Sequence, residues 1–247
     1  MRIAIIGYGK MGHMVEEVAL QRGHEIVLKI NIENTEDFTQ ENIAKADVAI
    51  EFTGPDSAFE DVKKCIDFGI PVVSGSTGWN NKLPEAKEYC KQKMGAFLHT
   101  SNFSVGVNIF FQINKLLAQL MASQSDYDVT LKEIHHTQKK DAPSGTAVTL
   151  AEQILERIDR KKKWVNEPSD NKEELPIISE RTDPAPGTHY VKYASEVDDI
   201  EIIHTAHNRK GFALGAVLAA EFIVGKKGIF TMDDVLNLTP SLSSAKL

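Results

Sequence analysis

Short apolar runs alternate with stretches whose apolar positions recur at helical spacing. The runs at 2–6, 25–30, 47–52, 71–74 and 96–99 read as strands. The segments 10–21, 57–68 and 80–94 between them read as helices, the first with Met11, Met14, Val15, Val18 and Ala19 on one face. Repeated strand–helix units with short links predict an α/β fold built on a doubly wound parallel sheet. After residue 103 the rhythm changes. A long helix rich in Ile, Phe and Leu is predicted over 105–122, then a strand over 127–136 whose inward face carries Val129, Leu131, Glu133 and His135. Ser144 is placed to cap a helix over 145–158. The polar stretch 159–176 reads as a solvated helix end and loop. Strands at 177–182, 189–195 and 200–206, joined by turns, predict a mixed or antiparallel second sheet. A helix over 212–224 returns the chain, and 231–234 opens a last short one. The expected organisation is a first domain made of 1–103 and 212–247, with an α+β domain inserted at 104–211.

The first strand ends in Gly7-Tyr8-Gly9-Lys10-Met11-Gly12, and a helix and second strand follow. Strand, glycine turn, helix and strand in that order give a Rossmann-like dinucleotide site its physical parts. Gly7 permits the tight turn, Gly9 lets the backbone approach a pyrophosphate, and Gly12 lets helix and strand pack closely. An acidic residue normally ends the second strand and takes the ribose hydroxyls; Asn31 stands there, with Glu33 beyond it. Lys10 and Lys29 are the nearby cations for a 2′-phosphate. NADH is favoured slightly, with NADPH tolerated. Ligands in such folds lie past the carboxyl ends of the strands. The turns Gly75-Ser76-Thr77 and Thr100-Ser101-Asn102-Phe103 are therefore expected beside the nicotinamide half.

The stretch 133–147, EIHHTQKKDAPSGTA, gathers more chemistry than any packing role requires. His135 and His136 are consecutive on a strand, so they face opposite ways and no shared metal is expected. Proton transfer and anion binding suit them better, with Lys139 as a compact charge for a carboxylate or a developing carbanion. Ser144, Gly145 and Thr146 open a helix whose backbone N–H groups and hydroxyls make an anion seat.

Composition narrows the classes without choosing among them. The chain has 247 residues, is 42% hydrophobic and 26% charged, and carries a net charge of -7, which leaves no general basic field for nucleic acid. Cys65 and Cys90 match no metal spacing. No apolar run is long enough to span a bilayer, and no leader peptide is expected, so a cytoplasmic location is anticipated.

The stretch 133–147 resembles the signature loop of the dihydrodipicolinate reductase family, Glu-x-His-His-x-x-Lys-x-Asp-Ala-Pro-Ser-Gly-Thr-Ala, at every fixed position. Asn102-Phe103-Ser104-Val105-Gly106-Val107-Asn108, the first glycine turn and Gly75-Ser76-Thr77-Gly78 are similar to other family stretches. The resemblance implies an NAD(P)H-dependent reductase of a cyclic, dicarboxylated, unsaturated imine on the diaminopimelate–lysine route. It implies His135 as proton donor or acceptor and Lys139 as second donor and charge partner. His136, Gly145 and Thr146 would contact substrate carboxylates. A homotetramer assembled through the inserted domain is also implied. Arg209 falls where the family tends to carry an arginine. Two departures touch the cofactor: the first turn is one residue shorter than usual, and Asn31 replaces the acidic residue. Two other readings compete, another small-acid dehydrogenase and a nucleotide-sensing regulator without turnover. The proton-donor set argues against the regulator.

Overall fold

A computed structural model describes residues 1–238. The segment 239–247, the tail of the expected first domain, lies outside the described residues. The chain divides into two compact units, one made of Met1–Val105 and the chain from Lys210 onward, the other of Gly106–Arg209.

In the first unit, β1 (Arg2–Ile6), α1 (Lys10–Gln21) and β2 (Glu25–Ile30) form the opening βαβ. A short α2 (Gln40–Ile43) leads to β3 (Val48–Glu51), α3 (Ala58–Asp67), β4 (Val72–Ser74), α4 (Leu83–Gln92) and β5 (Ala96–His99). In the second unit, α5 (Val105–Met121) is followed by β6 (Asp128–His135), α6 (Gly145–Leu155), β7 (Lys163–Val165), β8 (Glu174–Arg181), β9 (Gly187–Ala194) and β10 (Asp199–Ala206). The chain returns to the first unit with α7 (Lys210–Ile223), β11 (Gly228–Phe230) and α8 (Met232–Leu236).

The first sheet has six strands in the order β11-β5-β4-β3-β1-β2, every pair parallel. Its central strands are buried on both faces, β3 and β4 along their full length, which is why they read as continuous apolar runs. One core cluster joins Ile3, Ile5, Val48 and Ile50 to Val15 and Ala216; another joins Ala4, Ile6 and Ala49 to Val62 and Phe97. The doubly wound expectation holds, and β11 extends it at one edge.

Helix α7 packs closely because its buried face is small: Ala213, Gly215, Ala216, Ala219 and Ala220. At Gly215 the fit is absolute. A Cβ there would sit 1.8 Å from the Phe103 carbonyl oxygen, a backbone atom that cannot swing aside. Gly215→Ala is expected to cost about 3 kcal/mol, read as a lowered urea midpoint with an unchanged slope.

The second sheet is mixed, in the order β10-β9-β6-β8-β7. Strand β6 lies antiparallel to β9 and parallel to β8. Its buried positions are Val129, Leu131, Glu133 and His135, the face the alternation predicts. Val129 and Leu131 join Leu150, Ile154, Val191 and Tyr193 in the core under α5 and α6.

The stretch 159–176 departs in part from the solvated-loop reading: 166–173 is a largely exposed loop, but the segments on either side of it are structured. It contains β7 and the start of β8. Lys161 is only 3% exposed; its ammonium meets Asp128 at 2.6 Å and the Glu174 carbonyl at 2.7 Å. Arg160 donates to the carbonyls of Met121, Ala122, Gln124 and Tyr127 and so closes the end of α5. Arg160 and Lys161 thus serve as internal bracing because they find acceptors for their charged heads, while Lys162 and Lys163 beside them stay exposed.

Candidate active site

Strand β6 places two polar side chains at the end of an otherwise apolar face. Glu133 is fully buried, and its register partner on β9 is His189. His135, two positions on, is paired with Arg181 of β8. The carboxylate of Glu133 accepts the Ser144 amide at 3.1 Å on both oxygens and the Arg181 guanidinium at 3.0 Å. Burial alone would raise its pKa, but these donors outweigh burial and hold it below the ordinary value. Arg181 also donates to the carbonyls of Asp141 and Lys139, so one guanidinium ties the loop to the sheet.

His135 is 7% exposed, with Nδ1 3.5 Å from Glu133 Oε2. Burial pushes its pKa down, Glu133 pulls it up, and Lys139 and Arg181 push it down again, with a net lowering. Gly187 leaves room for the ring: a Cβ there would stand 3.0 Å from His135 Nε2, and the glycine holds φ +155. His189 packs edge-on against His135 with centroids 5.0 Å apart, and shares a hydrogen bond of 3.1 Å with Ser144 Oγ. Glu133, His135 and His189 offer ligand atoms within 4.8 Å of one another, a spacing that could hold a metal ion. The carboxylate is already engaged by Arg181 and the Ser144 amide.

Burial lowers the His189 pKa from 6.5 to about 3. In that window the unfolded chain binds a proton that the folded chain refuses. Stability is therefore complete above pH 6.5 and falls as pH drops toward 3. The slope for one such group approaches about 1.4 kcal/mol per pH unit. His189→Gln is expected to flatten the urea midpoint between pH 6.5 and 5, a range above the titration of most carboxylates.

Lys139 reaches both oxygens of Asp141, at 2.8 and 2.7 Å. Asp141 is mostly exposed, so a competing carboxylate can take its place. Ser144 caps α6, its hydroxyl accepting the Ala147 amide at 3.3 Å. With its amide on Glu133 and its hydroxyl shared with His189, Ser144 is committed inside the protein. Gly145 is exposed, and a Cβ there would meet nothing within 4 Å. His136 follows the strand, its Nδ1 buried without a hydrogen-bond partner. Arg209 ends the second unit and is exposed.

The dinucleotide fingerprint of the first unit has the expected geometry. Gly7 has φ +96, and a Cβ would lie 2.3 Å from the Phe52 carbonyl oxygen. A Cβ on Gly12 would lie 2.6 Å from the Gly7 carbonyl oxygen. Gly9 is the N-cap of α1 with no side-chain cap, and the space a Cβ would fill is open. These residues fit a pyrophosphate against the helix end. Beside them is a cleft of about 640 Å³ whose lining includes Gly7, Tyr8, Asn31, Glu33, Thr53 and Lys64. Asn31 Oδ1 accepts the Glu33 amide at 2.7 Å, bracing the turn that brings Glu33 to the cleft. Lys29 is paired with Glu16 at 2.5 Å and lies over the Tyr8 ring. Lys10 is exposed, and Met11 packs against the core.

The other turns are organised from below by Glu51. This fully buried carboxylate accepts the Thr53 amide and hydroxyl at 2.6 Å, and the Ser74 and Ser76 hydroxyls at 2.5 Å. Ser76 therefore turns its hydroxyl into the sheet, and its carbonyl takes the Trp79 indole N–H at 2.9 Å. Gly75 packs on the Phe52 ring, while Thr77 is exposed. Thr100 Oγ1 accepts the Asn102 amide, Asn102 Oδ1 accepts the Ser104 amide, and Ser101 is exposed. Phe103 is 2% exposed, and its ring belongs to the core.

Comparison with known proteins gives two family-model matches in series. "Dihydrodipicolinate reductase, N-terminus" covers residues 1–103, and "Dihydrodipicolinate reductase, C-terminus" covers 106–236. A 4-hydroxy-tetrahydrodipicolinate reductase of Christiangramia forsetii is 50% identical over 96% of this chain and 98% of its own length. One from Staphylococcus carnosus is 35% identical over 96% of this chain and 100% of its own. Among solved structures, a dipicolinate-bound dihydrodipicolinate reductase from a Paenisporosarcina species superposes with a TM-score of 0.77 at 23% identity, covering 95% of this chain and 98% of that one.

Proposed function

Because the chain belongs to the dihydrodipicolinate reductase family, we infer that it catalyses the NAD(P)H-dependent reduction of 4-hydroxy-tetrahydrodipicolinate to tetrahydrodipicolinate in diaminopimelate and lysine biosynthesis. The observation that carries this is 50% identity to a reductase of that name over 96% of the chain, with the whole loop 133–147 in place. The dipicolinate bound to the Paenisporosarcina enzyme supports a small planar dicarboxylate as ligand.

When bound, the nicotinamide supplies the hydride. The open Gly9 cradle and the α1 N-terminus would hold the pyrophosphate, and Asn31 and Glu33, which line the cleft beside them, would take the ribose. Glu33 and the Lys29–Glu16 pair favour NADH, since one repels a 2′-phosphate and the other withholds a cation. Lys64 on the same cleft gives NADPH a partner, so both nucleotides serve. Thr77, Thr100, Ser101 and the backbone of Asn102 are the contacts we assign to the nicotinamide end.

Lys139 exchanges Asp141 for one substrate carboxylate. Gly145 and Thr146, at the start of α6, seat the other with His136. Loss of the 4-hydroxyl as water leaves the conjugated ring that accepts the hydride; the Lys139 charge stabilises the electron density that moves through that ring, and His135 delivers the proton, so one hydride, one proton and one departing water balance the reduction. Residues 1–103 and 212–247 form the nucleotide domain in this reading, and 104–211 the substrate and oligomerisation domain of a cytoplasmic homotetramer. Among the described residues, no helix is long and apolar enough to cross a membrane.

The test is a coupled assay in which pyruvate, aspartate semialdehyde and the preceding synthase generate the substrate. Both NADH and NADPH should be consumed, and only when the synthase is present. Consumption of neither nucleotide refutes the assignment. Activity on other small acids but not on the cyclic imine would support a different dehydrogenase.

A further inference from the structure

Glu133 has no place in the chemistry described so far, yet three parts of the site converge on it. We propose that Glu133 is a positioning residue, a buried carboxylate that orients His135 and the start of α6 together and whose charge keeps a proton available on His135. The proposal rests on the reading of His135 as the proton donor.

The geometry is specific. Both oxygens of Glu133 take the Ser144 amide, so the helix end that seats a substrate carboxylate is referenced to this side chain. Oε2 lies 3.5 Å from His135 Nδ1, a buried nitrogen that makes no hydrogen bond, so the carboxylate acts on the ring through its charge at close range. Nδ1 is the ring nitrogen beside this carboxylate, which leaves Nε2 as the nitrogen to exchange a proton with the ligand. That nitrogen faces Gly187, where no side chain covers it. His189 is held on Ser144 Oγ and walls the other side of the pair.

The charged and titratable groups facing His135 are Glu133 on its own strand, His189 on β9, Arg181 on β8, and Lys139 and Asp141 on the loop. His189 stays neutral, since burial holds its pKa near 3. Lys139 and Arg181 both disfavour a proton on His135, and burial acts in the same direction. Glu133 is the principal opposing charge, followed by the more exposed Asp141. A merely structural Glu133 would hold the loop without affecting the proton.

The experiment is a side-chain nitrogen NMR titration of the full chain, with His135 assigned by its loss in His135→Gln, alongside the pH profile of kcat. In Glu133→Gln the His135 midpoint should fall by about one pH unit or more, and the alkaline limb of kcat should fall with it. A folded Glu133→Gln protein whose His135 midpoint matches wild type overturns the proposal. If that variant does not fold, Glu133→Asp keeps a charge for Arg181 while withdrawing it from His135. It should move the midpoint the same way by less, and an unmoved midpoint again overturns the proposal. Full activity in His135→Gln would instead refute the proton-donor reading, and the midpoint comparison would still decide whether Glu133 controls that imidazole.

Discussion

Lys139→Ala is expected to lower kcat/KM by about a thousandfold, through both a smaller kcat and a larger KM. The double effect follows from two duties. In the proposed mechanism the ammonium would hold a substrate carboxylate in the ground state, in place of Asp141, which it meets at 2.7 Å. In the transition state it would face charge developing in the ring. Removing a group that acts in both states raises KM and lowers kcat together. The fold should not suffer, because Lys139 and Asp141 form a partly exposed ion pair of the kind that contributes little to stability. Steady-state kinetics with a urea control separate the two. A variant with wild-type KM would remove Lys139 from substrate binding.

His135→Gln is expected to reduce kcat by about a hundredfold to ten-thousandfold while KM stays close to wild type. Glutamine can keep a polar contact with Glu133 but cannot deliver a proton. The pH profile distinguishes this from simple misplacement. A histidine acid gives an alkaline limb where the imidazole loses its proton, and the residual activity of the variant should lack that limb. Retention of the limb would assign it to another group.

Much of the architecture is written in local pattern. The βα rhythm up to His99 gives the first sheet because buried parallel strands are apolar without interruption. The alternation in β6 gives the inward face of Glu133 and His135. Ser144 and Thr231 announce the helices they cap, Thr231 with a full capping box to Asp234. The short strands β7 and β11 are different. Each has three residues and none of them is buried, so neither shows the continuous apolar run that marks the equally short β4, and their partners β8 and β5 define them.

The same divide runs through the site. His135, Lys139 and Gly145 are legible because the loop concentrates them in sequence. His189, Arg181 and Gly187 are not, because only the register of β8 and β9 against β6 brings them to Glu133 and His135. Asp141 lies in the same loop, and the fold makes it the partner of Lys139. Ser76 and Phe103 sit in turns expected to face the nucleotide, but Glu51 draws the hydroxyl inward and the core takes the ring. A motif identifies which residues gather at a site, and the buried groups beneath determine which of their atoms remain available.

Hydride transfer from the nucleotide into the cyclic imine is tested most directly with nicotinamide cofactor deuterated at C4 on the transferred face. With synthase-generated substrate, the expected result is tetrahydrodipicolinate carrying the deuterium on a ring carbon, as the nucleotide is oxidised. Oxidation of the nucleotide with no deuterium in that product, or no oxidation at all, would contradict the assignment.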